Sequence, residues 1–228
     1  MHEGKDMKKK TKRLFCIGGA LLILFAVFTL LAFTVDVKNV GISGTRLGFS
    51  GANLAVFGAI GQSEAWLNVT DVLGIIVLLP VVAAAATGLI QLIKRKSIKR
   101  VDAQILALGA LYAADVFFYV LFELVIINYA PILKGGEIAA SYPSSHTLLA
   151  VTVMVSSAAV LGLYIKRRAL KLAAYVFTGA VAALTVIGRL LSGVHWLTDI
   201  LGSLLLSAAL LVLFYALLSL SAHEGSRE

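Results

Sequence analysis

Arg189, His195 and Asp199 stand close together in an otherwise apolar stretch, Gly188-Arg189-Leu190-Leu191-Ser192-Gly193-Val194-His195-Trp196-Leu197-Thr198-Asp199. His195 and Asp199 are four residues apart, so on a helix they share one face. The carboxylate can then accept a proton from one imidazole nitrogen and leave the other to attack, as a nucleophilic or general-base histidine requires. Arg189 brings a planar fork of donors suited to a phosphate. A second histidine lies upstream, in Tyr142-Pro143-Ser144-Ser145-His146. That Pro/Ser run ends a loop and opens a helix, with Ser144 or Ser145 as its N-cap. The first-turn N–H groups of such a helix form an anion cradle, and His146 reaches the same anion. Taken alone, the second segment reads equally well as a capped helix with an incidental histidine. Taken together, the two supply an oriented nucleophile, a separate acid and anion donors.

The elements that position these residues belong to a membrane. The chain has 228 residues, 60% of them hydrophobic and 14% charged. Soluble domains run at about 45–50% apolar and about 25% charged. The net charge of +8 does not point to nucleic acid, because the basic residues sit in short clusters between apolar spans. A basic segment, residues 1–13, precedes an apolar run from Leu14 to Val35, long enough to cross a hydrocarbon core. It is expected to be a retained transmembrane helix rather than a cleaved signal. Further spans are expected from Asp71 to Ile93, with Pro80 inside, from Val101 to Asn128, from His146 to Ile165, from Leu172 to Gly188 and from His195 to Ser221. Asp36 to Val69, rich in Gly, Ser and Asn, reads as an extramembrane loop with an interfacial helix near Trp66. The fold class is therefore all-α, a polytopic bundle of six transmembrane helices. One membrane domain covers residues 14–221, between the basic tail and a short polar tail at 222–228. Cys16, the single cysteine, excludes an internal disulfide and is expected to be a buried thiol in the first span.

Most of the twenty Lys and Arg residues fall before Leu14, in Lys94–Arg100 and in Lys166–Lys171. The positive-inside bias puts those segments and both termini in the cytoplasm. His146 and the Arg189–His195 turn then lie together at the extracytoplasmic face of the plasma membrane.

Pro-Ser-Ser-His at one helix start and Arg-x5-His-x3-Asp at another resemble the motifs of the type-2 phosphatidic-acid phosphatase (PAP2) superfamily, membrane lipid phosphatases that share a helical core with vanadium haloperoxidases. Ser145 stands where the family's second motif has glycine. Gly188 stands where its third has serine. The six-span topology agrees, so the resemblance covers most of the chain. It implies a two-step phosphoryl transfer with no cofactor and no metal. His195 attacks phosphorus to give a phosphohistidine, and Asp199 holds and charges the imidazole. His146 protonates the leaving oxygen and then activates water. Arg189 and the backbone around Ser144 and Ser145 stabilise the phosphate oxygens. The partners implied are a lipid phosphate substrate and the bilayer; oligomeric state is not implied. Isoprenoid pyrophosphate, phosphatidylglycerol phosphate and phosphatidic acid are the candidate substrates.

The family's first motif, Lys-x6-Arg-Pro, is where the sequence departs. The matching stretch, Glu123 to Pro131, keeps the proline but has Glu123 for the lysine and Ala130 for the arginine. Lys134 and Arg46 are the nearby cations available to substitute. This loss raises an alternative: a weak or inactive relative that binds lipid phosphate. Asp115 and Glu123 share a helical face in an apolar span, and such residues usually meet a partner or a cavity. Glu123 has Arg189 and the histidines as candidate partners, and Asp115 a neighbouring helix or a polar path. Trp196 suits an interfacial aromatic belt.

Overall fold

The computed structural model describes residues 2–133 and 136–224, with side chains from Lys8 to Leu220. Among the described residues are seven α-helices: α1 (His2–Thr34), α2 (Ser50–Ile60), α3 (Glu64–Arg95), α4 (Ala103–Leu124), α5 (Ser145–Tyr164), α6 (Arg168–Leu191) and α7 (Leu197–Glu224). All but α2 are long and apolar enough to cross a membrane, six spans in all. Extended backbone is confined to isolated pairings such as Lys38 with Leu47 and Tyr129 with Ala140. The protein is an all-α integral membrane protein.

Helix α5 is the axis of the bundle. In its most apolar window 61% of residues are buried, against 6% in α3 and 11% in α1, so α5 faces neighbours on every side. Its small residues Ser156, Ser157, Ala158 and Gly162 are buried and allow the close approach that drives helix association in lipid. One apolar cluster joins Phe25 of α1, Phe122 of α4 and Leu206, Leu210 and Phe214 of α7. A second joins Val77 of α3, Val153 and Met154 of α5 and Val181 and Ala182 of α6. Thr11 and Ser219 hydrogen-bond at 2.7 Å, which ties the start of α1 to the end of α7. At the same end, Arg95 and Asp102 pair at 2.6 Å across the α3–α4 turn.

Several expectations shift. The helix α1 continues back through the basic segment, which had been expected to be a separate tail. The helix α7 likewise runs on to Glu224, and residues 225–228 of the expected tail lie outside the described residues. The short loop helix is α2, not a segment at Trp66. Trp66 belongs to the first turn of α3, where the Ser63 hydroxyl caps the helix by accepting the Trp66 N–H at 3.4 Å. Cys16 is exposed on the outer surface of α1 rather than buried. Asp115 finds its partner on a neighbouring helix: fully buried, it accepts the Thr152 hydroxyl of α5 at 2.8 Å.

Candidate active site

The helix α7 begins at Leu197, so His195 stands just outside it rather than on its face. Asp199 lies in the first turn, where its carboxylate complements the helix dipole. Its Oδ2 reaches back to accept the Trp196 N–H at 2.9 Å, which satisfies a helix-start donor. This turn brings His195 Nδ1 to 3.6 Å from Asp199 Oδ2. The shorter contact of that nitrogen is to the Ser141 carbonyl, at 3.0 Å. A carbonyl only accepts, so Nδ1 carries the proton and the ring lone pair is on Nε2. Asp199 thus acts on His195 through its charge, while Ser141 sets the tautomer.

A buried polar network fixes this turn from beneath. Asn128 donates to Asp199 Oδ1 at 3.3 Å and to the Thr198 hydroxyl at 3.3 Å. Asn53, on α2, donates to the same hydroxyl at 3.0 Å and accepts the Thr198 N–H at 3.1 Å. Both asparagines are fully buried. Trp196 is buried too, with its indole N–H on the Tyr129 carbonyl at 2.7 Å and its ring 5.4 Å from that of Phe57. It locks the loop before α5 against α7 and is no lipid-facing belt residue. Tyr142 packs beneath the same loop, its hydroxyl 2.7 Å from that of Thr29. Burial pushes its phenol up, so it serves here as a neutral hydrogen-bond partner.

The second half of the site hangs on α5 and α6. Ser144 is the N-cap of α5, its hydroxyl accepting the Thr147 N–H at 3.4 Å. The Ser144 N–H itself is committed to the Asp199 carbonyl at 3.2 Å, which binds the two helix starts together. His146 follows in the first turn. Arg189, expected in the turn after the fifth span, lies in the last turn of α6 and is buried. Its Nη1 donates to Thr70 at 3.1 Å and to Asp71 at 2.9 Å. Its Nη2 meets His146 Nδ1 at 3.0 Å, and its buried Nε–H has no acceptor among the described residues. Arginine only donates, so His146 Nδ1 accepts and Nε2 carries the proton. That Nε2 stands 3.9 Å from Asp71 Oδ1. Gly188 permits this approach: a Cβ there would lie 2.5 Å from the Thr70 methyl and 3.0 Å from the Trp66 ring. Gly193 supplies the left-handed residue, φ 72°, of the turn from α6 into His195.

A cavity of about 50 Å³ is lined by His195, Ser141, Ser145 and Glu123, among others. Glu123 is exposed, and the partner of Arg189 is Asp71 rather than Glu123. Ala130 is buried in the loop, its N–H on the Ala139 carbonyl at 2.9 Å. Arg46 stays with α1, donating to the Phe33 carbonyl and lying 3.9 Å above the Phe33 ring. Lys134 lies outside the described residues. Sequence reasoning missed Thr70, Asp71, Asn53, Asn128, Thr198 and Ser141. Asp71 alone left a signal, a carboxylate at the end of an apolar span on the side that holds Arg189.

A sequence model of the PAP2 superfamily matches residues 113–221. Over that segment the chain is similar to the PAP2 superfamily. The match takes in both histidines, Arg189 and Asp199 and leaves α1, α2 and α3 outside. The fold extends the likeness. The crystal structure of a transmembrane PAP2-type phosphatidylglycerolphosphate phosphatase from Bacillus subtilis superposes with a TM-score of 0.59 at 23% identity, over 87% of this chain and 93% of that one. No curated protein matches the chain in sequence. The sequence match and the superposition together show a PAP2-like fold with both histidines, Arg189 and Asp199 inside the matched segment.

Proposed function

We propose that the protein hydrolyses a lipid phosphate or pyrophosphate at the extracytoplasmic membrane face, through a phosphohistidine on His195. The observation that carries the reading is the orientation of His195, whose Nδ1–H is held by the Ser141 carbonyl at 3.0 Å beside a small cavity. The Nε2 lone pair attacks phosphorus, the phosphorus–oxygen electrons pass to the leaving oxygen, and protonated His146 supplies that oxygen with a proton. Water then loses a proton to His146 and attacks phosphorus, and the nitrogen–phosphorus electrons return to His195. Arg189 Nε–H, buried and without an acceptor among the described residues, is a donor for a phosphate oxygen. Ser145, at the rim of the same cavity, adds its first-turn backbone. The charge distribution favours cytoplasmic termini, since the basic segments lie at the bundle end opposite the histidines. The Bacillus subtilis protein of similar fold acts on phosphatidylglycerolphosphate, which makes that lipid the first substrate to try, before phosphatidic acid and isoprenoid pyrophosphate.

Glu123 on the His195 cavity favours a second reading, a lipid-phosphate binder with little turnover. A carboxylate there opposes a phosphate, where the family pattern has a cation. One experiment separates the two readings. Phosphate release from short-chain forms of the three lipids is measured with wild type and His195→Ala, in right-side-out and inverted vesicles. The catalytic reading requires release by wild type alone, faster in right-side-out vesicles. Binding without release supports the second reading, and faster release from inverted vesicles overturns the assigned face.

A further inference from the structure

Asp71 lies on α3, outside the segment matched to the family, yet it makes the closest ionic contact of the site. Its Oδ1 is 2.9 Å from Arg189 Nη1 and 3.9 Å from His146 Nε2. We propose that Asp71 is a positioning residue for proton delivery, balancing the charge of Arg189 so that His146 can carry the proton given to the leaving group. The inference rests on the phosphatase reading above.

His146 Nδ1 is already occupied before substrate binds. In the resting site that nitrogen accepts from Arg189 Nη2 at 3.0 Å, so the ring is neutral with its proton on Nε2. To give a proton to a leaving oxygen and end as neutral imidazole, His146 must first take a second proton, on Nδ1. A bound phosphate provides the opening. It draws Arg189 Nη2 to its own oxygens, and Nδ1 takes a proton from solvent. The imidazolium so formed stands beside a buried guanidinium, and two like charges that close repel. Asp71 touches one and faces the other, which turns two cations into a balanced triad.

Asp71 does not plug the phosphate position. It takes one N–H of Nη1, and the Thr70 hydroxyl accepts from the same nitrogen at 3.1 Å. The buried Nε–H has no acceptor among the described residues and is available to an incoming anion. The Asp71 side chain is 55% exposed, so its replacement by asparagine disturbs little packing.

The test uses leaving groups. A short-chain alkyl lipid phosphate needs its leaving oxygen protonated, whereas p-nitrophenyl phosphate expels a stable phenolate without help. Wild type, Asp71→Asn and Asp71→Glu are compared in detergent micelles, with thermal unfolding recorded for each. In Asp71→Asn, kcat for the alkyl substrate should fall about ten- to a hundredfold, part of the roughly 10²–10⁴ that a positioned acid contributes. Turnover of the aryl substrate should stay within about threefold of wild type, KM should hold for both, and Asp71→Glu should restore most of the alkyl rate. An equal fall for both substrates, or a rise in KM alone, would mean that Asp71 serves phosphate binding or folding and would overturn the inference. Unchanged kinetics would make Asp71 a bystander and overturn it as well. Failure of the wild type on both substrates would sink the phosphatase reading itself.

Discussion

The two histidines of the site are held in opposite ways. His195 is 4% exposed, its ring fixed by a backbone carbonyl with the buried Asp199 carboxylate 3.6 Å away, and its turn held by amide and hydroxyl groups from α2, the loop after α4 and α7. His146 is 37% exposed in its side chain, and its partners are an arginine and a carboxylate. In the proposed mechanism the nucleophile must meet phosphorus on one line, so rigid, buried restraints around a single fixed charge suit it. A proton carrier must change its charge during turnover, so it needs charged neighbours that can redistribute. The difference assigns two kinds of second partner, and substitutions on the two sides should fail differently.

The largest effect is expected at the charged side. Arg189→Lys keeps one positive charge but loses the planar fork, and a single ammonium cannot serve Thr70, Asp71, His146 and a phosphate at once. Turnover should drop about 10²–10³-fold, the usual cost of losing a positioned oxyanion donor. Phosphate release on the best lipid substrate checks it. A loss under tenfold would show that the phosphate is held mainly by backbone groups, and the charged side would lose its distinct role.

On the neutral side, Asn128→Ala removes a buried amide that donates to Asp199 and Thr198. Two acceptors stay buried, and the expected cost is about 1–3 kcal/mol of stability. Asp199 keeps the Trp196 N–H at 2.9 Å, so the carboxylate stays near His195 and turnover should fall only about tenfold. Thermal unfolding in detergent and kcat measured on the same preparation decide the matter. Wild-type stability with a thousandfold loss of turnover would make Asn128 a direct participant in the chemistry.

The contrast also explains what was legible in the sequence. Hydropathy placed all six spans, because a membrane span is a local property of composition. The motif was visible for a related reason: Arg189, His195 and Asp199 lie within one short stretch, from the last turn of α6 to the first turn of α7. Their partners were not legible, since each comes from a distant element. Asn53 reaches Thr198 across 145 residues and Thr70 reaches Arg189 across 119. Polar residues in a Gly/Ser/Asn-rich loop look alike until packing selects among them. Helix ends were also misjudged. A hydrophobic run stops at its first charge, whereas α6 carries Arg189 as a buried member of its last turn because Asp71 of α3 meets it there. Trp196 was misplaced for the same reason, since only the loop before α5 supplies the carbonyl that its indole needs.

The smallest effect is expected at Asp102, which tests whether any carboxylate–arginine pair on α3 would act as Asp71 does. Asp102, the N-cap of α4, meets the opposite end of α3, 2.6 Å from Arg95 and accepting from Gln91 at 2.8 Å. The Arg95 guanidinium, with help from Gln91, holds its carboxyl below the usual carboxylate range. A carboxyl whose folded pKa is depressed stabilises the fold above its ordinary unfolded value, near 3.9, and that contribution is lost as the pH falls through the lower folded value. Asp102→Asn should therefore lower stability slightly at neutral pH and flatten the fall in stability below about pH 4. The pair is partly exposed, where ion pairs contribute little, so the shift in unfolding temperature should be small. Lipid phosphate turnover at neutral pH should remain at the wild-type level. If it falls as far as in Asp71→Asn, both ion pairs act only by holding α3 in place, and the charged side of the site loses its claim to a separate role in proton delivery.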